Sequence, residues 1–134
     1  MPEDPFNGTF KLNVAASKLP FASPQSVVLH IEADRDWVAL TENSIASEGC
    51  TETVTIRARF DNEVYPVHGS GLADGFAIRR VDARTWKTRG LKGGENVFAA
   101  TLLLSQDGGS FREDGETTLV DGTRVAATLV YERL

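Results

Sequence analysis

The chain has 134 residues, 41% hydrophobic and 25% charged, with 12 glycines, one cysteine and a net charge of -5. This describes one ordinary soluble domain, large enough to pack a core without a metal staple, and the lone Cys50 excludes an internal disulfide. The acidic balance excludes a general nucleic-acid binder, and no run approaches the roughly 18 apolar residues of a membrane span.

Met1–Phe6 carries two acids and no apolar h-region, so the chain as given is expected to hold neither secretion signal nor anchor. Residues 1–6 read as a flexible arm and 7–134 as a single domain. A strand is expected over 8–13. Residues 14–25, with Pro20 and Pro24 and no sustained period, read as a loop with at most one helical turn that closes one end. Residues 26–33 alternate Val27, Leu29 and Ile31 against Val28, His30 and Glu32, and 37–46 forms the next strand. A helix over Glu32–Glu42 is the alternative, with Asp34 as its cap; against it stand β-branched Val38 and Thr41 and the turn character of Asp34-Arg35-Asp36. Residues 51–60 alternate most clearly, with Val54, Ile56, Ala58 and Phe60 on one face and threonines and arginines on the other. Strands follow over 63–68, 75–81, 85–91, 95–105, 111–120 and 123–132. Asp61-Asn62, Gly93-Gly94, Asp107-Gly108-Gly109, Asp114-Gly115 and Asp121-Gly122 supply turn residues between apolar runs. The fold class is all-β: a single antiparallel up-and-down barrel of about ten strands.

Phe6-Asn7-Gly8-Thr9-Phe10-Lys11-Leu12 resembles the F-x-G-T-[WF]-K-L opening of fatty-acid-binding proteins and the related G-x-W of lipocalins. Tyr65-Pro66-Val67-His68-Gly69-Ser70 resembles the Y-P-V-x-G-S of small bacterial lipocalin-like domains of unassigned function. The resemblance spans the chain and implies a calycin-type barrel that binds a small hydrophobic or amphipathic ligand. Two departures qualify it. The interval between the first two strands is too short for a full two-helix lid. Leu129 stands where fatty-acid-binding proteins place the arginine of their R-x-Y, although Tyr131 keeps the tyrosine.

A ten-stranded barrel is wider than the eight-stranded kind, so an internal cavity is expected. Inward parity nominates Phe10, Leu12, Val54, Ile56, Phe76, Ile78, Trp86, Phe98, Leu102, Leu129 and Tyr131 as lining, unless these form a dry core. The ligand-binding set expected is Phe76, Ile78, Arg80, Trp86, Phe98 and Tyr131. Residues 79–92 carry a local balance of +5, leaving -10 elsewhere. Within that hairpin Arg80 shares parity with Phe76 and Ile78, and an inward arginine needs an internal acid, a ligand anion or trapped water. Solvation, or stacking on Trp86, is the other reading. A two-residue loop near Asp82-Ala83 pairs Trp86 with Arg79; one extra loop residue moves it to the side of Arg80.

His30 and His68 are the only histidines, and no H-x-H, H-E-x-x-H or C-x-x-C spacing exists, so neither metal nor cofactor is expected. His68 is the better candidate for a general acid or base, but no partner is visible locally; no catalytic residue is assigned. Cys50 at a hairpin tip reads as an incidental thiol. Gly69-Ser70-Gly71 lacks the frame of a nucleophile elbow, Gly90–Gly94 reads as a hairpin turn and not a phosphate loop, and Glu113-Asp114 reads as solvated turn acids. Two alternatives stand beside ligand binding: a filled barrel docking an acidic partner on the basic 79–92 hairpin, and an isomerase or hydrolase using His68.

Overall fold

The computed structural model describes residues 4–20, 22–119 and 121–134, and it holds ten strands among them. These are β1 (Gly8–Leu12), β2 (Ser26–Ala33), β3 (Trp37–Ile45), β4 (Thr51–Arg59), β5 (Tyr65–His68), β6 (Gly75–Asp82), β7 (Thr85–Lys92), β8 (Glu95–Leu104), β9 (Ser110–Thr118) and β10 (Arg124–Arg133). Each pairs antiparallel with its neighbour in sequence. β1 then pairs with β10 through Phe10↔Arg133, Lys11↔Glu132 and Leu12↔Tyr131, closing the barrel. Closure gives every strand a hydrogen-bonded neighbour on both sides. It is the up-and-down barrel that the Phe6–Leu12 opening implied.

Local chemistry sets the turns. Asp34 accepts hydrogen bonds from the backbone N–H groups of Asp36 and Trp37 at 2.9 and 2.8 Å, so Asp34 folds a hairpin between β2 and β3 and does not cap a helix. Gly93 and Gly94, with φ of +58° and +84°, make the two-residue turn between β7 and β8, where both positions need the left-handed region. The β6–β7 ladder shifts between Arg80 and Asp82, which pairs Arg80 with Trp86. Val120, the last residue of the strand expected over 111–120, lies outside the described residues. Between β1 and β2 the chain makes a turn at Val14–Ala16, bridges β10 through Lys18↔Thr128 and crosses one barrel end. No helix is present among the described residues, so none is long and apolar enough to cross a membrane.

The wall is uneven. β3 and β4 share nine residue pairs, whereas β5, four residues long and carrying Pro66, meets β4 and β6 through two pairs each.

One half of the interior is packed solid. Phe6 stacks on Trp86, Phe60 tilts against the same indole, and Phe10 and Phe111 meet edge to face. Phe6, Phe10, Phe111 and Trp86 are all at most 1% exposed. The expectation of a flexible arm over 1–6 is corrected here. Residues 1–3 lie outside the described residues, but Asp4–Phe6 is docked, because Phe6 finds an apolar floor to bury against and Asp4 an arginine.

Candidate functional site

The other half of the interior is open. A cavity of about 110 Å³ lies within the barrel, walled by Phe76, Ile78, Trp86, Phe98, Leu102 and Tyr131, with Val54 and Ile56 opposite. Strand parity supplies these side chains. On β7, Trp86, Thr88 and Gly90 share the inner face; on β6, Phe76 and Ile78 do. Two wider recesses of about 400 and 340 Å³ adjoin the cavity toward the end crossed by the β1–β2 connection. Leu72 and Leu119 rim the first, and Leu19 and Pro24 the second. Tyr131 belongs to all three spaces.

Gly90 shapes this wall. A Cβ there would lie 2.0 Å from the Phe98 ring, so the absence of a side chain lets Phe98 fold over β7. Gly115 is comparable. Its missing Cβ would fall 2.2 Å from the Ala99 carbonyl oxygen, so this glycine lets β8 approach β9 and makes no turn.

Of the six residues expected to bind ligand, Phe76, Ile78, Trp86, Phe98 and Tyr131 come together around this cavity. Arg80 does not, and its expected role as anchor for an anionic head group is corrected. Its Nη2 donates to Asp4 Oδ2 at 2.6 Å, Nη1 and Nη2 donate to the Arg35 and Asp34 carbonyls at 3.0 Å, and its guanidinium lies 3.8 Å from the Phe60 ring centroid. The bulge after Arg80 places it beneath the packed floor, where an internal acid already meets it. Of the wider lining set, Phe10 also belongs to the solid half.

Two acids complete the cavity. Glu113 and Glu42 both line it, and Glu42 lines both recesses as well. Reading Glu113-Asp114 as turn acids is corrected: both lie within β9, where Glu113 shares the inner face with Phe111 while Asp114 pairs outward with Arg112 at 2.7 Å. Burial, and then the charge of Glu42, pushes the Glu113 carboxyl up to about 7. Burial, and then Glu52, raises Glu42. The Tyr131 phenol is raised by burial first and by the two glutamates after it. Ion pairs among the described residues are His30–Glu32, Asp4–Arg80 and Arg112–Asp114, so neither cavity glutamate belongs to one. No Lys, Arg or His among the described residues lines the cavity or its two recesses. Counting parity from Phe111 to Glu113, and from Leu40 to Glu42, would have found both acids.

One more polar group is uncompensated. The Trp86 indole is fully buried, and its Nε1–H has no hydrogen-bond partner among the described residues.

The remaining candidates lie outside. His68 is exposed on the outer face opposite Thr55, out of reach of the cavity acids, so the acid–base role considered for it is corrected. His30 is also external, hydrogen-bonded to Thr9 and Glu32, and Cys50 is exposed. In the basic hairpin, Arg84, Arg89 and Lys92 donate to the Ser105, Asn62 and Gly71 carbonyls. No group of three metal-ligating side chains occurs among the described residues.

No family model matches the chain, and no curated protein matches it. Among solved structures, apocrustacyanin C2 is similar over 98% of this chain, at 12% sequence identity and a TM-score of 0.48. The alignment covers 62% of that protein, so the chain spans less than two thirds of its length.

Proposed function

We propose that the protein binds a small hydrophobic or amphipathic molecule inside its barrel. The observation that carries this reading is the contrast between the two halves of one interior: aromatic side chains fill the first, and the second keeps a lined cavity with recesses toward the same barrel end. A solid barrel would use both halves for packing. The deep cavity alone is smaller than the roughly 300 Å³ at which ligand sites begin, but together with a recess it enters that range. Leu72 and Leu119, 55% and 38% exposed at the rim, offer an apolar landing surface where solvent would favour polar side chains. Burying about 200 Å² of apolar ligand surface would supply about 5 kcal/mol before ordering costs, enough for useful affinity.

The reading is tested by titrating an environment-sensitive apolar fluorophore into the wild-type protein and into Phe98→Ala and Ile78→Trp variants. Binding is expected to weaken in both, through lost contact in the first and lost space in the second. Unchanged affinity in both would place the probe elsewhere and overturn the reading.

A further inference from the structure

We propose that the molecule held in the barrel carries a cation, an ammonium group on a largely apolar body, and that Glu42 and Glu113 receive it. The inference rests on the reading of the barrel as a small-molecule site and adds the chemistry of the polar end.

Glu113 and Glu42 project from β9 and β3 into one cavity. Around Glu113, β8 presents Leu102 and β10 presents Leu129 as direct cross-strand neighbours; around Glu42, β2 presents Leu29 and β4 presents Val54. The titratable groups facing the pair are Tyr131 and, toward Glu42, Glu52. None of these is a cation. Two half-buried carboxyls thus share one largely apolar space in which no described residue supplies an ion-pair partner or a side-chain hydrogen bond to them. Such an arrangement opposes its own ionisation, and it is relieved either by a retained carboxyl proton or by an incoming ammonium group that takes the proton's place.

The apolar-walled cavity and its adjoining recesses point to an occupant independently of the acids. Trp86 walls the same cavity, its ring wholly buried and its N–H without a partner among the described residues. Glu42 borders the deep cavity and both recesses, so an ammonium at that junction leaves apolar space on either side for the body of the ligand. An anionic head group would meet two acids and no base, and Arg80, the cation nearest in sequence pattern, is held by Asp4.

Binding exchanges one positive charge for another. The ammonium enters with its proton, and the carboxyl proton held by Glu113 leaves to solvent. Amine affinity is therefore expected to rise about tenfold between pH 6 and pH 8, as the Glu113 carboxyl passes from mostly protonated to mostly ionised while an alkylammonium stays charged.

Isothermal titration with octylamine, 1-octanol and octanoate separates the possibilities, since the three share one apolar body. At pH 7.5 octylamine is expected to bind at least tenfold more tightly than either of the others. In a Glu42→Gln/Glu113→Gln variant its affinity should fall to that of 1-octanol, while a cooperative urea unfolding transition reports an intact barrel. If octanoate binds as tightly as octylamine, or if the double variant keeps its amine affinity, the cation assignment is overturned while the barrel remains a small-molecule site. If none of the three binds, both readings fall.

Discussion

Phe6 lies nearly flat on Trp86, with ring centroids 4.0 Å apart and an interplanar angle of 26°. The contact joins a residue ahead of the first strand to the wall of the candidate site, so one aromatic pair is both floor of the cavity and ceiling of the packed half. Truncating Phe6 removes a fully buried ring from a tightly packed cluster. Phe6→Ala is expected to lower unfolding stability by about 3–4 kcal/mol, read from urea denaturation. A loss under 1 kcal/mol would mean that the segment is not docked.

Arg80 serves the floor and not the ligand. With a side chain 26% exposed beside an Asp4 side chain only 7% exposed, Arg80→Ala leaves a nearly buried carboxylate without its cation. Stability should fall by about 3 kcal/mol, while 1-octanol affinity at a temperature where the variant is folded stays within twofold. Loss of octanoate binding in this variant, at wild-type octanol binding, would restore Arg80 as a head-group anchor.

Glu113 ties the site to pH. Its folded carboxyl titrates near 7 against about 4.5 in the unfolded chain, so the folded state keeps a proton that the unfolded state has released. Stability therefore falls as pH rises from about 4.5 to about 7, by up to about 3 kcal/mol, and levels off above. Glu113→Gln, which cannot ionise, is expected to be more stable than wild type at pH 8 and indistinguishable from it at pH 4. Equal stability at both values would show that the carboxyl is solvated.

The two wall glycines should behave differently. In Gly90→Ala the new methyl meets the far edge of the Phe98 ring, which can swing into the cavity; probe affinity should drop several-fold with a stability loss of about 1–2 kcal/mol. In Gly115→Ala the methyl meets the β8 backbone at the Ala99 carbonyl, which has no comparable freedom, and the stability loss should be larger. Equal losses in the two variants would contradict the assignment of one contact to a side chain and the other to main chain.

The strands were legible because period-two alternation and glycine or aspartate turns are local signals; Val54, Ile56 and Ala58 on one face of β4 show the pattern at its plainest. Five of the six expected site residues follow from the same parity. Arg80 was misread because parity says which face a side chain takes but not how deep it lies, nor that Asp4, 76 residues earlier, would reach it. Glu113 escaped notice because Asp114-Gly115 imitates a turn, whereas Gly115 answers a demand from a neighbouring strand that local sequence does not show. Phe6 looked peripheral for a similar reason, since its partner Trp86 is distant in sequence.

The most direct measurement is the set of intermolecular nuclear Overhauser contacts between 1-octanol and the methyl groups of the folded protein. Contacts from the alkyl chain to Ile78, Leu102 and Leu129 are expected, with Glu42 and Tyr131 resonances shifting alongside. Contacts confined to exposed methyls such as Val81 and Leu103, or none at all at saturating alcohol, would contradict a binding site inside the barrel.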